Sequence, residues 1–184
     1  LDAIARQVAA SSRIINGLLD FARDSPPQYS LVDLGALLHQ VLADADLPQE
    51  IHVSTEIPAS LPPLLADREQ IAQVLSNIID NAVQVMPQGG ELAIHVWWEE
   101  WAAYISVRDT GPGIPEEVRS RIFEPLFTTR TKGTGLGLAI ARRIIEAHGG
   151  EITASTSPAG GATFTIMLPL PESAHSRESA SSSA

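Results

Sequence analysis

"FTTRTKGTGLGLAIARRIIEAHGG", Phe127 to Gly150, is the stretch on which the fold turns. Glycines at alternate positions, Gly133, Gly135 and Gly137, open onto a segment with Leu136, Ile140, Ile144 and Ala147 at helical spacing. Gly149 and Gly150 stop that helix as C-terminal caps do. A phosphate loop of the G-x-x-x-x-G-K-S/T kind needs its Lys behind the last glycine, whereas Lys132 precedes all three. A dinucleotide fingerprint needs a strand before its glycines, and "FEPLFTTRTK" shows no strand alternation and carries a Pro. Two readings are left. Either the helix start is an anion site, with free backbone N–H groups and the helix dipole aligned, or it is a mobile loop before an ordinary helix.

Composition narrows the class. The chain has 184 residues, 44% hydrophobic and 18% charged, which marks a globular protein with a sizeable core. A net charge of −10 argues against a nucleic-acid binder, whose phosphate contacts need clustered cations. With no cysteine, neither a disulfide frame nor a thiolate metal site is available. No apolar run approaches the roughly 20 residues of a membrane span, so this segment is expected to be soluble, without membrane contact of its own. A cytoplasmic place is expected for the segment, with membrane anchoring of a longer parent left open. Of the 12 basic residues one is Lys, and Lys132 lies inside the glycine loop.

Outward from that loop, hydrophobic periodicity orders the rest. "LDAIARQVAASSRIINGLLDFARDSPP" reads as one long helix with the seam Ile4, Val8, Ser11, Ile15, Leu18 and Ala22, closed by Pro26 and Pro27. So apolar a helix requires partner helices. Asp33 can cap a second helix, "LGALLHQVLADA", and "EIHVSTEI" alternates as a strand. After a loop marked by Pro58, Pro62 and Pro63, a helix runs from about Arg68 to Met86. "ELAIHVWWEE" and "WAAYISVRD" form a hairpin, with Trp97, Trp98 and Trp101 flanking its turn and covering the sheet. A short helix at "EEVRSRIF", the glycine-led helix, and a closing hairpin of "EITASTS" and "ATFTIMLPL" complete the body. The "PESAHSRESASSSA" tail is low in complexity and expected to be disordered. This order predicts an α/β two-layer sandwich, a mixed β-sheet with helices on one face, and the first helix standing outside it.

Four places carry chemistry. Asn77 and Asn81 lie four apart on one helix face, where their carbonyl oxygens suit a hard cation such as Mg²⁺ or serve as surface amides. In "RDTGPG", an ionised Asp109 only accepts hydrogen bonds, which matches the exocyclic amino group of adenine; it equally suits an Asp-initiated turn. "FEPLF" places Phe123, Leu126 and Phe127 in a loop-like region, either docking a lid or packing a short helix. The glycine loop, preceded by Arg130 and Lys132, is the fourth.

Taken in order, N-x-x-x-N-A, D-x-G-x-G, F-E-P-L-F and G-T-G-L-G-L resemble the N, G1, F and G2 boxes of the sensor histidine kinases' ATP-binding domain. That domain has the Bergerat fold, shared with gyrase-type topoisomerases, mismatch-repair ATPases and heat-shock chaperones. The resemblance covers about Leu31 to Leu170. It implies that Asn77 and Asn81 hold Mg²⁺ and phosphates, that Asp109 reads adenine, and that Gly111, Gly113 and Ile114 shape its pocket. Residues from about Thr110 to Gly135 become an ATP lid, with Phe123 and Phe127 docking it and Arg130 and Lys132 as lid cations. Gly133, Thr134, Gly135, Leu136 and Gly137 close the lid over the phosphates. Hydrolytic relatives carry a Glu where Asn77 stands, and an amide is no general base, so the implied activity is ATP-dependent phosphotransfer rather than hydrolysis. Asp80, beside Asn81, is the acid that could orient a nucleophile.

The same resemblance makes 1–27 the second helix of a dimerisation hairpin, 31–170 the catalytic domain and 171–184 a tail. None of His39, His52, His95, His148 and His175 sits in the family's acceptor motif, so the acceptor helix is expected in its own or a partner subunit of a homodimer. The chain then binds ATP without phosphorylating itself, and a response regulator receives the phosphoryl group. A non-catalytic ATP-sensing or response-regulator-docking module, and a serine kinase of the same fold, are the competing expectations.

Overall fold

The computed structural model describes residues 26–130, 133–157 and 160–171. The expected hairpin helix over 1–27 lies, but for its last two residues, outside them, as do Lys132 and nearly all of the 171–184 tail.

Strands β1 (Ser30–Val32), β2 (Ile51–Glu56), β3 (Leu64–Ala66), β4 (Gly90–Glu99), β5 (Ala102–Asp109), β6 (Glu151–Thr156) and β7 (Ala162–Pro169) alternate with helices α1 (Leu34–Asp44), α2 (Arg68–Val85), α3 (Glu116–Arg119) and α4 (Gly137–Ala147). The main sheet is ordered β2-β4-β5-β7-β6. Only the β2–β4 pairing is parallel, and the other three are antiparallel, so the sheet is mixed as expected. β1 and β3 form a separate antiparallel pair, Ser30 opposite Ala66. Three residues each are too few to show alternation, which is why the sequence hid them. The expected helix over "EEVRSRIF" shrinks to Glu116–Arg119, and a chain of turns follows it.

One core joins the layers. Leu92, Ile94 and Val96 of β4, Ile105 and Val107 of β5, and Phe164, Ile166 and Leu168 of β7 point the same way, two residues apart. Against them pack Ile71, Val74, Leu75, Ile78 and Ile79 of α2 and Ile140, Ala141, Ile144 and Ile145 of α4. Each of the large side chains contributes about 1.5–3 kcal/mol by leaving water. β2 is an edge strand, and only its Ile51 is buried. On the opposite face of the sheet, His95 stacks on Trp97 and Trp97 on Tyr104 at 4.9 and 5.1 Å. Trp98 instead packs against the core, and Trp101 is half exposed at the hairpin turn.

Two polar joints fix the helices that carry the site. Asp33 caps α1 by accepting from the Ala36 N–H, and Asp67 caps α2 by accepting from the Glu69 and Gln70 N–H groups. His148, buried at the end of α4, accepts from the Asp67 N–H through Nε2, so its Nδ1 carries the proton and donates to the Ile144 carbonyl. The C-terminus of α4 is thereby tied to the N-terminus of α2. Partial burial pushes the Asp67 carboxyl up, but the Gln28, Gln70 and Glu69 N–H groups together with His148 outweigh it and hold it below the usual carboxylate value. A lowered folded value means stability that is complete above the unfolded carboxylate range and lost as pH falls through the folded one. Asp67→Ala is expected to cost about 1 kcal/mol at neutral pH. That deficit should shrink in urea unfolding as pH falls below the usual carboxylate range and the wild-type carboxylate is protonated.

Candidate functional site

The polar face of α2, the end of β5 and the start of α4 enclose the site. Positions 77, 81 and 84 follow one another on that face because they are four and three residues apart. Asp109 ends β5 and is 1% exposed. Its Oδ1 accepts from the Gly111 N–H at 2.8 Å and the Ala162 N–H at 3.1 Å. Among the described residues its Oδ2 accepts nothing. With the residue buried and Oδ1 occupied by two N–H groups, Oδ2 is the oxygen left to accept from a ligand.

The glycines of this corner are set by close contacts. A Cβ on Gly111 would meet Asp109 Oδ1 and Val85 at 2.9 Å, and one on Gly113 would meet Thr156 at 2.6 Å. Thr156 also clamps the next residue, since its Oγ1 accepts from the Ile114 N–H and donates to the Ile114 carbonyl. The segment therefore leaves the sheet along a defined path and continues through α3.

Between α3 and α4 the chain runs as turns. Phe123 packs edge-on against Phe164 at 6.5 Å and leans on the core. Phe127 lies under the Arg121 guanidinium instead, and Leu126 is 59% exposed. Of the three large apolar residues in "FEPLF", one thus anchors the segment to the body. Gly135 closes it: its carbonyl accepts from the Leu126 N–H at 2.9 Å, and a Cβ there would come within 2.5 Å of the Leu126 backbone. Thr134 Oγ1 accepts from the Leu136 N–H, and Leu136 is buried.

α4 begins at Gly137 with no side-chain cap, so its first N–H groups are open to an anion. A Cβ on Gly137 would lie 3.5 Å from Asn77 Oδ1, which puts that helix start beside the Asn pair. Asn77 Nδ2 is buried and has no hydrogen-bond partner among the described residues. Asn81 Oδ1 accepts from the Arg130 guanidinium, which also donates to Gln84 Oε1 at 2.9 Å. A cation thus already rests on one of the two amide oxygens singled out for Mg²⁺, and the donor set fits such an ion. Burial lowers the Arg130 pKa, opposed by the Asp109 carboxylate. Asp80, one residue from Asn81, keeps contact with solvent; crowding and then the Asp46 carboxylate push it above the usual range.

The fold brings together Asn77, Asn81, Asp109, Gly111, Arg130 and Gly137, while Phe127 faces Arg121 and Lys132 lies outside the described residues. Four contributors escaped the sequence reading: Gln84, Thr156, Gly161 and Ala162. Gln84 was discoverable from its three-residue spacing to Asn81. The others sit in a closing hairpin whose "GG" reads only as a turn.

Residues 66–172 match the family described as histidine kinase-, DNA gyrase B-, and HSP90-like ATPases. The signal transduction histidine-protein kinase AtoS of Escherichia coli is 38% identical over 174 residues, 92% of this chain and 29% of that protein. Full-length ShkA in complex with AMPPNP superposes with a TM-score of 0.78 at 30% identity, over 91% of this chain and 37% of that one. Histidine kinase ThkA in complex with the response regulator protein TrrA gives 0.74 at 26% identity, over 92% and 50%. The chain belongs to this family, and its ATP-binding domain is of the sensor histidine kinase type. It spans about a third of the length of the curated relatives it matches.

Proposed function

We propose that this chain is the catalytic part of a two-component sensor kinase, moving the γ-phosphoryl group of ATP to a histidine on a dimerisation helix outside the described residues. The observation that carries the reading is Asp109, a buried carboxylate with one oxygen held by two backbone N–H groups and the other left to accept. Adenine offers an exocyclic amino group to such an acceptor, whereas guanine presents a carbonyl that it repels. Arg130 and the uncapped start of α4 supply positive charge and N–H donors where the triphosphate would extend.

Asn77 and Asn81 would hold Mg²⁺, and bound there the ion would neutralise charge on the phosphate oxygens. Neither amide can take a proton from water, which favours retention of ATP for a protein acceptor over hydrolysis. In the transfer, the acceptor imidazole nitrogen forms a bond to the γ-phosphorus as the bridging P–O bond breaks, and ADP leaves. The chain's task is to hold the two reactants in line. Asp80, beside Asn81 on α2, would be the acid that orients the acceptor imidazole. A response-regulator aspartate is the next acceptor, in keeping with the ThkA–TrrA pair. Among the described residues no helix is long and apolar enough to cross a membrane.

Calorimetric titration with ATP and GTP, each with and without Mg²⁺, tests the reading. Saturable ATP binding is expected, with GTP at least about 100-fold weaker. Asn81→Ala should lose most of the Mg²⁺-dependent gain while metal-free ATP binding changes by less than about threefold. Addition of a dimerisation hairpin carrying the acceptor should then yield an acid-labile phosphoryl label on it. A folded wild-type chain that binds neither nucleotide would sink the proposal.

A further inference from the structure

Arg130 is delivered by a self-contained turn. The Thr128 hydroxyl accepts from the Arg130 N–H at 3.0 Å and donates to the Arg130 carbonyl, which also receives the Gly133 N–H. From this turn the guanidinium reaches across to α2 and lays its two terminal nitrogens on the amide oxygens of Asn81 and Gln84. The two acceptors sit three residues apart on one helix face, so a planar fork of donors can meet both at once. Gln84 is itself exposed, and its side chain has no packing duty in the core.

We propose that Gln84 is the positioning residue of the lid cation: it seats Arg130 on α2 so that the guanidinium occupies the Asn81 oxygen before a metal–nucleotide arrives. The inference rests on the proposed role of Asn81 in holding Mg²⁺. A guanidinium and a divalent ion cannot share one amide oxygen, because like charges a few ångströms apart repel. Loading is therefore an exchange. The metal takes Asn81 Oδ1, and Gln84 keeps Arg130 tethered beside the phosphates instead of releasing it to solvent. A neutral acceptor at position 84 suits the task. A carboxylate would bind the guanidinium far more tightly, and an apolar side chain would not bind it.

The seat is tested in the full chain with Gln84→Met, which keeps length but removes the amide acceptor, and Gln84→Glu, which strengthens it. Trypsin must extract the Arg130 side chain to cut after it, so the rate of that cut, read from peptide masses in nucleotide-free protein, reports the seat. Gln84→Met should raise the rate roughly tenfold and Gln84→Glu should lower it below wild type. A merely structural role for Gln84 would move both variants in the same direction. The Mg²⁺ concentration that half-saturates the gain in ATP affinity should fall roughly threefold in Gln84→Met, because the metal meets a weaker competitor.

Unchanged cleavage in both variants overturns the seat. Faster cleavage with an unchanged Mg²⁺ requirement overturns the shared use of Asn81. Should the wild type bind no ATP while Gln84→Met is still cut faster, the seat stands and the nucleotide reading falls.

Discussion

Asp109→Asn is expected to weaken ATP binding at least about 100-fold while leaving thermal unfolding within about 1 kcal/mol of wild type. The two side chains have the same shape, so the argument is one of hydrogen-bond polarity. With the amide oxygen kept toward Gly111 N–H and Ala162 N–H, the new NH₂ faces the adenine amino group, donor against donor. Rotating the amide turns the NH₂ toward two backbone donors inside a buried corner, which is no better. Both arrangements lose. A purine with a carbonyl in place of the amino group should regain part of the affinity, since the first arrangement now offers it a donor. Calorimetry with ATP and ITP on wild type and variant reads both effects, and a loss of less than about threefold for ATP would remove Asp109 from the base-reading role.

Gly161→Ala should be the most damaging single methyl in the site. Gly161 has φ +83°, and a Cβ there would stand 1.9 Å from the Asp109 carbonyl oxygen. The oxygen belongs to backbone and the Cβ is fixed directly to it, at the point where the chain enters β7 beside the end of β5, so neither can swing aside. Its neighbour Gly160 is the internal control. It has φ +91°, yet among the described residues a Cβ there would find nothing closer than the Gly111 carbonyl at 3.8 Å. Gly160→Ala should therefore cost only the conformational penalty, about 1–2 kcal/mol. Gly161→Ala should cost roughly 3–5 kcal/mol, because the overlap adds to it. The loss of ATP binding should exceed what unfolding explains, since moving Gly161 displaces the Ala162 N–H that holds Asp109. Equal destabilisation by the two variants would refute the steric argument.

Long periodic segments are legible in the sequence alone. The buried face of α2 is the set Ile71, Val74, Leu75, Ile78, Ile79 and Ala82 that its spacing announces. The β4–β5 and β6–β7 hairpins follow from alternation and turn residues. The ordered run of Asn pair, acid–glycine turn, "FEPLF" and glycine loop pointed to the family that residues 66–172 match. Motif residues are readable this way because each chemical role fixes a residue type at a fixed local spacing.

What tertiary structure decided is whatever depends on distant segments meeting. Ala162 reaches Asp109 across 53 positions, and Arg130 reaches Asn81 across 49. The sequence could name Arg130 as a lid cation, but not that it rests on α2 with Gln84 as its second anchor. It could place a closing hairpin over "EITASTS" and "ATFTIMLPL", but not that Gly161 lies against the backbone of Asp109. Nor could it show that His148 accepts from the N-cap residue of α2. Local periodicity is written in nearest neighbours along the chain. These contacts are set by how β5, β7, α2 and α4 pack, and that geometry appears only once the core has formed.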